Sequence, residues 1–169
     1  MSRKAILIVD DDAIILLALR QELRLHFGEA LAYETATSGT KGLERAAAIE
    51  AGGDELAIVI SDWLMPGMNG DEFLRKVHEL EPAAKLVMLT AHADESDMER
   101  LSRDVRIEAF LRKPWDPERL FALVSAVFPT SNMLVRMLIR LALLPFVVSI
   151  SYECNRFVGR HDNGLTRAL

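Results

Sequence analysis

Short apolar runs alternate with amphipathic segments through the first three quarters of the chain. Each run is unbroken rather than alternating with polar residues, which is typical of strands covered on both faces of a sheet. The segments between the runs carry apolar residues at helical spacing and end at glycine or proline. The predicted strands cover residues 5–9, 31–37, 56–61, 85–90 and 106–112, and the predicted helices cover residues 13–27, 39–51, 70–80, 94–102 and 117–128.

Strand and helix therefore alternate five times with short connections. This order predicts an α/β domain in which a parallel sheet has right-handed crossovers and helices on both faces. The motif G-x-G-x-x-G does not follow the first strand, and G-x-x-x-x-G-K-[ST] does not occur. Dinucleotide-binding and P-loop functions are therefore unsupported.

Polar side chains stand where four of the predicted strands end. Asp10 and Asp11 follow the first strand, Asp62 the third, Thr90 the fourth and Lys113 the fifth. Because parallel strands end at one edge of the sheet, these groups are expected to share one crevice. Three neighbouring carboxylates would repel one another and raise each other's pKa, and a divalent cation relieves that repulsion. Oxygen ligands of this kind suit Mg²⁺.

These residue types also suit phosphoryl transfer to a carboxylate. An aspartate can act as nucleophile and form an aspartyl-phosphate. The transferred group needs positive charge around its oxygens, which Mg²⁺ and the ammonium of Lys113 can supply. Thr90 can donate a hydrogen bond to a phosphoryl oxygen, and Ala91 is small enough to leave the approach open.

Four motifs, in order, carry a resemblance to a known family. They are Ile-Val-Asp-Asp-Asp at 8–12, Ser-Asp-Trp-Leu-Met-Pro-Gly-Met-Asn-Gly at 61–70, Met-Leu-Thr-Ala at 88–91 and Phe-Leu-Arg-Lys-Pro at 110–114. Over residues 4–128 the chain resembles the receiver domain of two-component response regulators. The resemblance implies a flavodoxin-like five-stranded sheet of order 2-1-3-4-5.

The resemblance also implies a set of site residues. Asp62 would accept a phosphoryl group from a histidine kinase or a phosphotransfer protein. Mg²⁺ would be bound by Asp11, Asp62 and the backbone carbonyl of Leu64, with Asp10 acting through water. Thr90, Ala91 and Lys113 would bind the phosphoryl group. The resemblance implies that the protein is a phosphoacceptor rather than an enzyme. At most, it would catalyse its own phosphorylation by small donors and its own dephosphorylation.

A conformational switch is implied as well. Thr90 would move toward the phosphoryl group, and the aromatic residue on the fifth strand, here Phe110, would turn inward behind it. A tyrosine often stands at that position, so only the packing role can remain here. The responsive surface would be helix 4, strand 5 and helix 5, through which a homodimer or a downstream protein would bind.

Charge and cysteine content limit which partners and which cellular compartment are expected. Residues 1–128 hold 15 basic and 23 acidic side chains, a balance of −8, whereas residues 129–169 hold 5 and 2, a balance of +3. Binding of nucleic acid through general electrostatics is therefore not expected of the main body. The single cysteine, Cys154, allows no internal disulfide, and the first apolar run is too short for a signal peptide. A cytoplasmic location is predicted.

Residues 129–169 are predicted to form a C-terminal helical extension of different character. Residues 133–152 are the most apolar stretch, but Arg136, Arg140 and Pro145 interrupt it. A membrane helix needs about 20 predominantly apolar residues, so a membrane-tethered receiver is one alternative. The favoured alternative is a segment that packs on a partner or on the receiver itself, and a truncated or disordered end is the third. No DNA-binding or enzymatic output domain is expected in this extension.

A phosphohydrolase of the haloacid-dehalogenase kind is the competing activity. Those enzymes place the nucleophile after the first strand in an Asp-x-Asp pattern, which Asp10 and Asp12 match. The Asp62 loop has no place in that pattern, so the receiver is preferred. Asp12 is interpreted as a helix cap, and Trp63 and Trp115 as packing residues at the rim of the crevice.

Overall fold

The computed structural model of the protein describes residues 2–91 and 95–128. The extension at 129–169, with its apolar stretch at 133–152, lies outside the described residues, so its predicted roles stay predictions. Within the described residues, no helix is both long enough and apolar enough to cross a membrane.

In the described part of the chain, five strands and five helices alternate as the apolar pattern predicts. The strands are β1 Lys4–Val9, β2 Leu31–Ala36, β3 Glu55–Asp62, β4 Lys85–Thr90 and β5 Ile107–Arg112; the helices are α1 Ala13–Phe27, α2 Gly39–Ala51, α3 Gly70–Leu80, α4 Glu95–Asp104 and α5 Pro117–Val127. A 3₁₀ turn at Gly28–Ala30, which the pattern does not predict, connects α1 to β2. The predicted boundaries lie within two residues of these.

All five strands are parallel, in the order β2-β1-β3-β4-β5. This confirms the flavodoxin-like fold class. The order reverses at β1, from which the chain passes first to β2 on one side and later to β3 on the other. A crevice opens at such a reversal, outside the carboxyl ends of the strands, and ligands of open α/β sheets bind there.

The sheet separates two apolar layers. In β1, Ile6 and Ile8 face the layer built with α1 and α5, while Leu7 and Val9 face the layer built with α2 and α3. Alternate residues of a strand point to opposite faces, so a strand buried on both sides must be apolar throughout. Phe73 of α3 is fully buried in the second layer. The packing of both faces holds the strand ends rigidly in register.

Two helices beside the crevice, α1 and α5, are capped at their amino ends by aspartate side chains. Asp12 accepts a hydrogen bond from the backbone N–H of Ile14 at 2.7 Å, and Asp116 accepts one from Glu118 at 3.0 Å. These bonds satisfy amide groups that have no partner within the helix. Asn69 stands at the cap position of α3, but its side chain makes no capping hydrogen bond.

Ion pairs lie at the opposite, amino end of the strands. Arg3 pairs with Asp54 at 3.0 Å, and Lys4 pairs with Glu55, its neighbour across β1 and β3, at 3.5 Å. The basic partners are about half exposed. Such pairs contribute little to stability, but they leave this end of the sheet locally neutral.

Candidate acidic site at the carboxyl ends of the strands

Three carboxylates from two adjacent strands meet at the crevice. Asp10 and Asp11 follow β1, and Asp62 is the last residue of β3; one oxygen from each lies within 4.8 Å of the others. Val9 and Ser61 are register partners, so the residues after them emerge side by side. Asp10 and Asp62 are buried, whereas Asp11 is exposed. The predicted meeting of these three side chains is confirmed by their positions.

Lys113 reaches both buried carboxylates from the end of β5. Its Nζ lies 2.7 Å from Oδ2 of Asp10 and 2.8 Å from Oδ1 of Asp62. Its backbone N–H donates to the carbonyl oxygen of Thr90 at 2.8 Å, which ties the ends of β4 and β5 together. The ammonium therefore bridges the two carboxylates rather than pointing into solvent.

Burial and mutual repulsion perturb these groups. Burial, helped by the charge of Asp62, raises the pKa of Asp10 to about 6 even though Lys113 opposes the shift. Burial likewise raises the pKa of Asp62. Burial alone would lower the pKa of Lys113, but the carboxylates of Asp10 and Asp62 outweigh it, and that pKa lies above its ordinary value. The site thus holds buried negative charge that one lysine only partly compensates.

The chain turns sharply after Asp62. Its carbonyl oxygen accepts a hydrogen bond from the Ser61 hydroxyl at 2.9 Å, and the N–H of Gly70 donates to the carbonyl of Trp63 at 2.8 Å. The backbone of Gly70 approaches the Asp62 carbonyl so closely that a Cβ would overlap it. Gly67 has φ +83°, a conformation that favours glycine. These contacts close the loop and fix the backbone that carries Asp62.

The remaining predicted site residues lie at the same edge. Thr90 ends β4 and is buried, and Ala91 follows it. Leu64 exposes 68% of its surface, so its side chain has no core role. The half-buried ring of Phe110 on β5 lies 6.4 Å from the ring of Trp63. Binding by Thr90, Ala91 and the Leu64 carbonyl, and switching by Phe110, stay predictions.

The donor set fits a magnesium ion. All three groups offer carboxylate oxygens, the hard ligands that Mg²⁺ prefers, and their oxygens already converge. Two of the carboxylates are buried, so a bound cation would compensate charge that Lys113 leaves unbalanced. Asp10, Asp11 and Asp62 are therefore the residues that would hold it.

Comparison with known proteins identifies the family. A family model described as the response regulator receiver domain matches residues 6–125, more than two thirds of the chain. The chain belongs to the response regulator receiver family. A second model, described as a protein of unknown function (DUF1385), matches residues 120–169 and so covers the extension together with most of α5.

Curated relatives of this receiver include transcriptional regulatory proteins. It is 31% identical over 120 residues to the hydrogenase transcriptional regulatory protein HoxA of Bradyrhizobium diazoefficiens, covering 71% of this chain and 23% of the relative. It is 32% identical over 123 residues to the transcriptional regulatory protein CutR of Streptomyces coelicolor, covering 72% and 52%. The receiver thus spans about a quarter to a half of the length of these relatives.

Solved receiver structures share the fold. The signal receiver domain of an HD domain-containing protein from Pseudomonas fluorescens superimposes with a TM-score of 0.65 at 27% identity, covering 75% of this chain and 95% of that one. A CheY-like receiver from Methanospirillum hungatei gives 0.61 at 29%, covering 74% and 93%. The predicted family and sheet order are therefore both confirmed.

One buried polar contact of the receiver is not evident from the sequence. Trp115, predicted to lie at the rim, is 4% exposed, and its indole N–H donates to Oε2 of Glu22 at 2.8 Å. Glu22 is itself buried. The helical spacing does indicate that Glu22 is buried, because it lies three residues after Leu19 and seven after Ile15, both on the buried face of α1. The apolar residues Leu17 and Leu25 instead lie on the exposed face.

The raised pKa of Asp10 predicts how receiver stability varies with pH. The folded pKa, about 6, exceeds the ordinary value of 3.8, so the folded state binds this proton more tightly. The resulting stabilisation is fully present below about pH 4 and is lost as the pH rises through about 6, which amounts to roughly 3 kcal/mol. In denaturant titrations without added Mg²⁺, the difference in unfolding free energy between wild type and Asp10→Asn should change by about that amount between pH 4 and 7.

The Asp12→Asn variant is the matched control for that titration. Asparagine also caps helices, so this neighbouring substitution should keep the wild-type dependence on pH. If the wild type and Asp10→Asn differ by the same free energy at every pH, the buried carboxyl does not have the raised pKa that its surroundings indicate.

Proposed function

We propose that the protein is a response regulator receiver that accepts a phosphoryl group on Asp62 from a histidine kinase or a phosphotransfer protein. The observation that carries this proposal is the position of Lys113, whose ammonium bridges Asp62 and Asp10 beside the Asp11 carboxylate. One carboxylate at a strand end, paired with a cation and flanked by further acidic groups, is the arrangement that phosphoryl transfer to aspartate requires.

The transfer is a displacement at phosphorus. A carboxylate oxygen of Asp62 forms the new O–P bond as the P–N bond to the donor imidazole breaks, and the released imidazole nitrogen takes up a proton from solvent. Lys113 Nζ lies within hydrogen-bonding distance of the nucleophile and can offset negative charge on the transferred group. A bound Mg²⁺, held by Asp10, Asp11, Asp62 and the Leu64 carbonyl, would supply further positive charge to the phosphoryl oxygens.

Signalling then follows from new contacts of the phosphoryl group. Thr90 ends the neighbouring strand and would donate its hydroxyl to a phosphoryl oxygen, with Ala91 leaving room for the approach. Phe110 lies on the edge strand β5 and would turn inward behind Thr90. These contacts bias two packings of the α4-β5-α5 surface, through which a second copy or a downstream protein would bind. The receiver would thus act in the cytoplasm through contacts with proteins rather than with nucleic acid. Its own chemistry would be limited to self-phosphorylation by small donors and self-dephosphorylation.

Phosphorylation by a small donor tests the proposal. Incubation with phosphoramidate and Mg²⁺ should raise the intact mass of the wild type by one phosphoryl group. Asp62→Asn removes the nucleophile with little change in shape and should abolish the gain, a loss of at least about 100-fold in rate. Intact-mass spectrometry over time measures both proteins.

Asp71→Asn serves as the matched substitution, because Asp71 lies on α3 and pairs with Arg75 outside the site. It should leave the mass gain unchanged. A wild type that gains no mass, or an equal gain in Asp62→Asn, would be evidence against Asp62 as the acceptor. Sustained release of phosphate from a phosphate monoester would instead favour the phosphohydrolase alternative.

A further inference from the structure

A buried hydrogen bond joins α1 to the segment that carries Lys113. The indole N–H of Trp115 donates to a carboxylate oxygen of Glu22 at 2.8 Å, across 93 positions of sequence. Trp115 and Glu22 are 4% and 5% exposed. A hydrogen bond that is shielded from water is stronger than the same bond on the surface.

The segment 113–116 has three polar anchors, of which this bond is the middle one. At its start, the N–H of Lys113 donates to the Thr90 carbonyl at 2.8 Å. At its end, Asp116 caps α5. Between them, the side chain of Trp115 ties the segment to α1 through Glu22. The backbone that aims the Lys113 side chain is therefore fixed from both sides.

Packing alone does not require a carboxylate at position 22. The position lies among the apolar residues of the first layer, such as Leu19 and Leu23, where a leucine would bury apolar surface without the cost of desolvating a charge. Burying a carboxylate is unfavourable unless its hydrogen bonds compensate. The retained group therefore has an effect beyond filling space, and its hydrogen bond leads to the residue two positions from Lys113.

We propose that Glu22 is a positioning residue for phosphoryl transfer, which holds Lys113 between Asp10 and Asp62 by anchoring Trp115. This inference rests on the proposed phosphoacceptor function, since it assigns a residue that supports the same site. Without the middle anchor, the segment 113–116 is held only at its two ends, and the Lys113 ammonium spends less time within hydrogen-bonding distance of both carboxylates.

Three variants separate positioning from stability. Glu22→Leu removes the acceptor and leaves the buried indole N–H without this bond, so it should destabilise the fold. Glu22→Gln keeps an acceptor oxygen and should behave like the wild type. Glu22→Leu combined with Trp115→Phe removes both partners of this hydrogen bond, so it should regain part of the lost stability while the anchor stays lost.

Two measurements follow Lys113. The first is the rate of Asp62 phosphorylation by phosphoramidate with Mg²⁺, which should fall about tenfold in Glu22→Leu and in the double variant, and remain wild-type in Glu22→Gln. The second is acetylation of Lys113 by acetic anhydride, mapped by mass spectrometry against the half-exposed Lys76 of the same molecule. In Glu22→Leu and in the double variant, which both lack the anchor, acetylation of Lys113 should rise by roughly several-fold.

The outcomes distinguish failure of this inference from failure of the proposed phosphoacceptor function. Wild-type transfer and labelling in both Leu-containing variants would overturn it, as would transfer that recovers with stability in the double variant. Slower transfer with unchanged Lys113 labelling would also overturn it, because the defect would then not pass through Lys113. If the wild type is not phosphorylated at all, the proposed function fails, while the labelling experiment still decides whether Glu22 positions the lysine.

Discussion

Replacing Lys113 by methionine should lower the unfolding free energy at pH 8 by about 3–5 kcal/mol. The substitution removes the cation that lies within 2.8 Å of both Asp10 and Asp62 and leaves two buried carboxylates facing each other. Methionine fills much of the same space, so the loss reflects uncompensated charge rather than a cavity. Denaturant titration of the wild type and the variant measures the difference.

Lys76→Met is the matched control for this change. Lys76 pairs with Glu72 at 2.7 Å, the same distance as Lys113 to Asp10, but both partners are about half exposed. Water and salt screen such a pair, so the control should change stability by less than about 1 kcal/mol. The Lys113→Met deficit should also shrink as the pH is lowered from 8, because loss of Lys113 raises the pKa of both carboxyl groups further and their protonation removes the repulsion. A deficit equal to that of Lys76→Met would show that the buried pair has no special role.

The same substitution should slow phosphorylation of Asp62. Lys113 is the cation nearest to Asp62, the proposed nucleophile, among the described contacts, and it could offset charge on the transferred phosphoryl group. Loss of one such stabilising group costs about 100- to 1,000-fold in rate. The mass gain with phosphoramidate, measured at a pH where the variant is folded, should therefore be slower by that factor. Lys113→Arg, which keeps the charge, should lose less.

Gly70→Ala should be the most disruptive of the small substitutions in the loop. A Cβ at this position would overlap the carbonyl oxygen of Asp62, and that oxygen belongs to backbone that cannot give way easily. The loop must shift, at a cost of about 3 kcal/mol or more. Because the displaced backbone carries Asp62, the proposed phosphoacceptor, phosphorylation should also fall by about 100-fold. Thermal unfolding and the mass assay together measure the two effects.

Gly67→Ala provides the contrast within the same loop. Gly67 has φ +83°, but nothing lies within 4 Å of the position that a Cβ would take there. Alanine at that position should cost about 1 kcal/mol from backbone strain alone and leave phosphorylation close to wild type. Equal behaviour of the two variants would indicate that loop flexibility, rather than contact with the Asp62 carbonyl, sets the requirement for glycine.

The sequence is sufficient for the fold and for the residues at the strand ends. Strands buried on both faces leave unbroken apolar runs, and the alternation with helices restricts the topology to a parallel sheet. The positions of Asp10, Asp62 and Lys113 then follow from where their strands end. The family resemblance adds the sheet order, which periodicity alone does not determine.

The sequence is not sufficient for contacts that depend on the exact rotation of α1. Glu22 is polar and stands between Arg20 and Arg24, which favours a solvent-facing position, although the helix turns it toward the core. Trp115 is predicted at the rim because it follows Lys113 and Pro114, and nothing local marks its distant partner. The helical spacing of Glu22 from Ile15 and Leu19 indicates its burial, but nothing in either segment indicates that its partner lies 93 positions away.

The two ends of the sheet differ in electrostatic character. At the amino end, Arg3 and Lys4 neutralise Asp54 and Glu55, whereas at the carboxyl end three carboxylates face a single lysine. Negative charge therefore remains in excess at the carboxyl end when the carboxylates are ionised. The electrostatic potential is then more negative at that end of the sheet than at the amino end. Cations are drawn to the edge that carries Asp62, and free anions are repelled from it. A protein that delivers a phosphoryl group would therefore approach fastest with basic residues surrounding its histidine, and this polarity would favour such a partner over small anionic donors.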